Sequence, residues 1–88
     1  MQGLHFKKIP GGRYTVLFYV GDFFVPVEEE LLKEIKKRSN TSNEEFLKLI
    51  AEKLGSNTYL KDAIQEVIKQ SGDPADLAKT LQRELEAL

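Results

Sequence analysis

The aromatic residues of this 88-residue chain are concentrated at one end, since six of the eight lie within the first 24 positions. A β-branched and aromatic run from Arg13 to Val20 is typical of a strand. A shorter strand is predicted before it, over Leu4 to Ile9, and another after it, beginning at Phe23. The N-terminal third therefore predicts a three-stranded antiparallel meander with residues 13–20 in the middle.

Two glycine-containing segments join these strands. Pro10-Gly11-Gly12 is predicted to form a three-residue loop that pairs Ile9 with Arg13. Gly21-Asp22 is predicted to form a two-residue type II′ hairpin turn, because glycine occupies the first central position. These loop lengths fix the register, and the register decides which side chains share a face of the sheet.

Beyond the strands, apolar residues recur at the three- and four-residue spacing of amphipathic helices. We expect Pro26 to open the first helix, because proline is tolerated at the first helical position. The boundaries of the other three helices follow from residues with capping chemistry, namely Ser42 with Glu45, then Gly55, then Asn57 or Thr58, then Asp73 with Pro74.

The sequence therefore predicts an α+β fold, a three-stranded antiparallel meander followed by four short helices packed on one face. We expect a single domain over residues 1–88, because every linker is short. Residues 1–26 would form the meander and residues 27–88 the helical part.

The predicted register divides the sheet into two unlike faces. The first is apolar and would receive the helices; it holds Leu4, Phe6, Val16, Phe18, Val20, Phe23 and Val25. The second mixes apolar and polar side chains; it holds His5, Lys7, Arg13, Thr15, Leu17, Tyr19 and Phe24. Apolar patches with polar rims often mark contact sites. If instead a helix covers the second face, its apolar residues are ordinary core.

The second face yields the candidate binding residues. Leu17, Tyr19 and Phe24 would form the apolar patch, with His5, Lys7 and Arg13 around it. Tyrosine and arginine are enriched at the energetic centres of interfaces. We therefore expect a small non-enzymatic binding or regulatory protein, of the size of inhibitors and adaptors. The expected partner is another protein or a second copy of the chain in a homo-oligomer.

The composition disfavours several other functions. The chain has no cysteine, one histidine and a net charge of -1, so neither a catalytic site, a metal site nor a cofactor is predicted. Its four serines lie at predicted helix boundaries, where they suit capping. No apolar run approaches the ~20 residues of a membrane helix. We expect a cytoplasmic protein without membrane contact.

A second function is suggested by the segment Ile50 to Gly55 followed by Ser56 to Ile64. This segment resembles the helix-turn-helix of small DNA-binding regulators, with an alanine in the first helix and a glycine in the turn. The turn is one residue short, and Lys61 takes a usually apolar position. The resemblance implies DNA-binding residues on the second helix, namely Asn57, Thr58, Lys61 and Gln65.

A third function is the binding of a small anionic ligand such as a nucleotide. Arg13, with Lys7 or Lys8, would contact the anion beside the ring of Tyr19. DNA binding ranks second, because Asp62 and Glu66 on the second helix of the DNA-binding segment would repel phosphates, and the small anionic ligand ranks third.

Overall fold

The computed structural model describes residues 3–11 and 16–88. Its strands and helices follow one another along the chain as β1 (Leu4–Lys8), β2 (Val16–Val20), β3 (Phe23–Val27), α1 (Glu29–Lys37), α2 (Asn43–Leu54), α3 (Thr58–Gln70) and α4 (Pro74–Ala87). The strands form one antiparallel sheet in the order β1-β2-β3. The predicted α+β fold with a meander and four helices is confirmed.

The register of β1 on β2 differs from the predicted one by two residues. Lys8 lies opposite Val16, whereas pairing Ile9 with Arg13 would place Lys8 opposite Tyr14. Arg13 and Tyr14 themselves lie outside the described residues. Since side chains alternate with a period of two, a shift of two leaves every residue on its predicted face.

The β2–β3 turn agrees with its sequence. Gly21 has a φ of +60°, a conformation that glycine adopts without steric cost. A type II′ turn requires a positive φ only at its first central residue. Asp22, the second central residue, accordingly has no positive φ. Val20 and Phe23 flank the turn as a pair.

The prediction that Pro26 opens a helix is wrong. Pro26 lies within β3, opposite Leu17, and the first helix begins only at Glu29. The strand therefore runs past the predicted boundary at residue 26 and ends at Val27. Proline is compatible with this position because β3 is an edge strand, where a missing N–H removes no bond from the ladder if it faces outward.

The other helix starts follow their capping residues as predicted. In each case a side-chain oxygen of the capping residue accepts a backbone N–H three residues on: Ser42 from Glu45 at 3.2 Å, Asn57 from Leu60 at 2.8 Å and Asp73 from Asp76 at 3.2 Å. Each cap satisfies a donor that the first helical turn leaves unpaired.

The hydrophobic core lies between one face of the sheet and the four helices. The sheet contributes Leu4, Phe6, Val16, Phe18, Val20 and Val27, all buried, and each helix adds at least one buried apolar residue. Helix α4 contacts β1, and α3 contacts β2. The other face of the sheet contributes no residue to this core.

Phe23 departs from the predicted core. It lies on the helix side of β3 but is 53% exposed, although Val20 beside it in the same row is buried, so the helices leave the sheet uncovered at the turn end of the β3 edge. Its ring contacts Tyr59, at the start of α3, at a centroid distance of 6.1 Å. Val25, its neighbour on the same side, is half-buried against the core.

Candidate binding surface

The side of the sheet turned away from the helices, which we call the outer face, is built from two rows of paired residues. One row is His5, Tyr19 and Phe24, and the other is Lys7, Leu17 and Pro26. The structure thus brings together five of the six predicted binding residues, His5, Lys7, Leu17, Tyr19 and Phe24. The sixth, Arg13, lies outside the described residues.

Two aromatic rings form the centre of the outer face. Phe24 is 57% exposed, and its ring packs against the half-buried ring of Tyr19 at 5.7 Å between centroids. The rings are tilted by 44°, and their separation lies in the range of favourable aromatic pairs. The pair presents apolar surface to solvent beside half-buried Leu17 and exposed Pro26.

His5 connects the outer face to the last helix. Its Nδ1 lies 3.0 Å from Oε2 of Glu84 on α4. Because an ionised carboxylate only accepts hydrogen bonds, Nδ1 is the donor. The backbone N–H of Phe6 donates to Oε1 of the same carboxylate at 2.8 Å. Glu84 therefore holds the His5 ring at the side of the face.

The same carboxylate covers part of the free edge of β1. Gly21 N donates to Gly3 O at 2.9 Å, so this pair is a hydrogen-bonded one. Hydrogen-bonded and open pairs alternate along an antiparallel ladder, which turns the N–H of Phe6 outward. Because Glu84 accepts a hydrogen bond from the N–H of Phe6, this N–H is not free to pair with another strand.

The opposite edge, along β3, has no strand beside it among the described residues. By the same alternation, the backbone polar groups of Phe24 and Pro26 point away from β2, toward the free edge of the sheet. Proline has no N–H to donate. This edge therefore offers a poorer hydrogen-bonding template than an unbroken strand, and the outer face offers the more favourable contact.

Charges of opposite sign flank the outer face. Lys7 is exposed on β1, and its side chain makes no ion pair or hydrogen bond among the described residues. Glu28 is exposed just beyond β3, where its side chain does not cap α1. Glu28 follows the inward-facing Val27 in extended conformation, so it extends the outer face at this edge.

Sequence reasoning missed a second exposed aromatic pair, Phe23 with Tyr59. Tyr59 is 69% exposed and meets Phe23 edge to face, with 85° between the rings. The exposure of Tyr59 could have been predicted from its position, because Tyr59 lies beside the apolar stripe of α3 that begins with Leu60 and Ile64. No pattern in the sequence shows that Phe23 reaches beyond the helices.

The residues of the DNA-binding alternative, Asn57, Thr58, Lys61 and Gln65, are all exposed on α3 or at its start. However, Asn57 Oδ1 accepts the backbone N–H of Leu60, so its acceptor oxygen is engaged in capping. Gln65 lines a groove of about 410 Å³ between α2, α3 and the start of α4. DNA binding stays a prediction, as does the anionic ligand near Arg13.

Comparisons with protein-family models, curated proteins and solved structures find no match to this chain. Among the helices that the structure describes, none combines the length and apolar character needed to cross a bilayer. Within residues 3–11 and 16–88, no three potential metal ligands from histidine, cysteine, aspartate or glutamate converge.

Proposed function

We propose that this chain is a small non-enzymatic binding protein that acts through its outer face and binds a second copy of itself there. The observation that supports this most directly is the exposure of Phe24, 57% of which is open to solvent on a face that adds nothing to the core. Removing such apolar surface from water stabilises an association by about 25 cal/mol per Å².

The charges on the outer face favour a second copy over an unrelated partner. The face carries Lys7 at one edge and Glu28 at the other. The carboxylate of Glu84 at the β1 edge is already engaged by His5 and Phe6, so the face is complementary to itself. A face of a single sign would repel its own copy and select a partner of opposite charge. Contacts between identical copies with two-fold symmetry use the same patch on both sides.

We expect face-to-face packing rather than pairing of strand edges. Glu84 accepts the outward N–H of Phe6 on β1, and Pro26 interrupts the row of donors on β3. Two sheets that pack face to face bury the alternate side chains of their strands at a spacing of about 10 Å. Such packing would bury both rings of the Tyr19–Phe24 pair.

The expected dimer is weak. Three strands of five residues give a face about 14 Å wide and 17 Å long. The area of the face, which is the product of these two lengths, is well below the ~800 Å² per partner of a standard interface. We therefore expect a dissociation constant of about micromolar or weaker, with monomer and dimer in exchange.

The test is sedimentation velocity over a series of protein concentrations, with two matched serine variants. Phe24→Ser removes the exposed ring of the outer face, and Phe23→Ser removes its neighbour on the other side of the same strand. We expect the wild type and Phe23→Ser to dimerise as concentration rises, and Phe24→Ser to remain monomeric. Circular dichroism checks that both variants stay folded.

Two results would overturn the proposal. A wild type that stays monomeric at the highest concentration would exclude self-association through any face. A dimer that survives Phe24→Ser but dissociates with Phe23→Ser would move the interface to the Phe23–Tyr59 side.

A further inference from the structure

We infer that the two copies pack about a two-fold axis parallel to the strands, and that Lys7 of each copy pairs with Glu28 of the other. This inference rests on the proposed function, because it specifies how the second copy lies on the outer face. It assigns Lys7 and Glu28 a role in selecting the orientation of the dimer.

The topology of the sheet places the two charges at the same end. Strands β1 and β3 are both antiparallel to β2, so they run in the same direction. Lys7 near the end of β1 and Glu28 just after β3 therefore lie at one end of the sheet but on opposite edges. Two strand spacings separate these edges by about 10 Å.

A two-fold axis parallel to the strands brings the opposite charges together. This rotation lays β1 of one copy over β3 of the other and keeps the ends of the two sheets aligned. Lys7 then lies over the partner's Pro26, its counterpart in the same row. The partner's Glu28 is two residues further along, about 7 Å in the strand direction and about 10 Å across the interface, a gap that the lysine and glutamate side chains span together.

The same rotation also matches the apolar residues. The two β2 strands lie over each other, which stacks Leu17 and Tyr19 on their own counterparts. His5 of each copy lies over the partner's Phe24, because both belong to one row. The apolar centre of one face thus meets the apolar centre of the other, with the charges at the rim.

The alternative axis, perpendicular to the strands within the interface, matches charges poorly. It lays β1 over β1 with the ends reversed, so the basic strands of the two copies meet. Lys7 would then lie close to the partner's His5, whose ring is already hydrogen-bonded to Glu84, and the partner's Glu28 would lie at the opposite edge of the stacked sheets. Only the axis parallel to the strands therefore brings Lys7 and the partner's Glu28 together.

Charge reversal tests the orientation. Lys7→Glu places two glutamates at each contact, and Glu28→Lys places two lysines there. By symmetry each dimer contains two such contacts. We expect either variant alone to weaken dimerisation by about ten- to thirty-fold at low salt, measured as the dissociation constant by sedimentation.

An equimolar mixture of the two variants provides the decisive measurement. In a mixed dimer the glutamate introduced into one chain meets the lysine introduced into the other, and the unchanged Glu28 meets the unchanged Lys7. Both contacts are again attractive, so we expect the mixture to dimerise with nearly the wild-type dissociation constant. The double variant Lys7→Glu/Glu28→Lys should recover in the same way.

Two neighbouring reversals serve as controls. Lys8→Glu changes an exposed lysine whose position in β1 alternates with that of Lys7, and Glu30→Lys changes an exposed acid in the first turn of α1. Neither should alter the dissociation constant more than about two- to three-fold, the scale of an exposed charge.

The measurements separate a wrong orientation of the dimer from a wrong interface. If the wild type dimerises and Phe24→Ser abolishes the dimer, but the mixture of Lys7→Glu and Glu28→Lys does not recover, the orientation is wrong and the interface stands. If the wild type does not dimerise at all, the interface itself is wrong.

Discussion

At the scale of single residues, Glu84 stabilises the fold by tying the last helix to the first strand. Its two oxygens accept hydrogen bonds from Phe6 N at 2.8 Å and from His5 Nδ1 at 3.0 Å, and the contacts are partly buried. We predict that Glu84→Ala lowers the free energy of unfolding by about 1–3 kcal/mol, because hydrogen bonds to a charged group are lost. Urea denaturation monitored by circular dichroism measures this change.

Glu86→Ala is the matched control for that variant, because Glu86 is exposed on the same helix. It should change stability by less than about 0.5 kcal/mol. Glu84→Gln should fall between the two, since the amide still accepts a hydrogen bond but carries no charge. Equal effects of Glu84→Ala and Glu86→Ala would contradict the role assigned to Glu84.

Gly55 is required for a steric reason. A Cβ at this position would overlap Ala51 O and lie 2.8 Å from Lys61 Cα, both backbone atoms. We predict that Gly55→Ala destabilises the protein by about 1–3 kcal/mol through this overlap. Thermal denaturation compared with Gly72→Ala provides the check, since a Cβ at Gly72 would meet nothing within 4 Å. A destabilisation of the same size at Gly72 would refute the steric explanation.

The glycine shows how a sequence can place a boundary correctly for a different physical reason. Glycine after a helix usually indicates a left-handed backbone conformation, and α2 does end just before Gly55. However, Gly55 has a φ of -85°, which any residue adopts. The constraint is steric and comes from two sides, from Ala51 O in the last turn of α2 and from Lys61 on α3, and the second is a tertiary contact that no local pattern encodes.

At the scale of elements, α1 and α2 are joined by an ion pair with a predictable pH dependence. Lys53 Nζ lies 2.8 Å from Oε1 of Glu34. The hydrogen bond and charge of Lys53, with a smaller contribution from Arg38, hold the pKa of Glu34 below its ordinary value of 4.5. A lowered pKa means that the pair stabilises the fold above pH 4.5, and this contribution is lost as the pH falls through the folded value.

We predict that Lys53→Gln reduces stability slightly at neutral pH and that this difference disappears in acid. The effect is small because Glu34 is exposed to solvent. Urea denaturation at neutral pH and well below pH 4.5 measures both differences. Lys48→Gln, on the same helix and exposed, is the control. A difference that persists unchanged in acid would exclude the Glu34–Lys53 pair as its cause.

The elements also show where sequence reasoning fails. Capping oxygens placed the starts of α2, α3 and α4 correctly, because a cap acts through contacts three residues away. The sequence around Pro26 does not distinguish a helix from a strand, because proline suits both a first helical turn and an edge strand. The pairing of this segment with β2 decides between a helix and a strand, and the local sequence does not show this pairing.

At the scale of the whole molecule, the two faces of the sheet were predictable and their coverage was not. Alternation fixed the sides of Phe23 and Phe24 despite the two-residue change of register. How far the helices extend over the sheet depends on their packing angles, which is why the exposure of Phe23 was missed. That one side of the sheet stays uncovered follows more simply, from the expectation that four short helices cover only the other side.

If the molecule works as a dimer, its thermal stability must depend on concentration. Association stabilises only the folded state. Above the dissociation constant, each tenfold rise in concentration therefore raises the free energy of unfolding by about 0.7 kcal/mol per chain. For a domain of 88 residues this raises Tm by about 3–6 °C. We therefore predict a rising Tm for the wild type and for Phe23→Ser, and a constant Tm for Phe24→Ser. Differential scanning calorimetry across the concentration series makes the comparison, and a Tm independent of concentration in all three proteins would mean that folding and self-association are not linked.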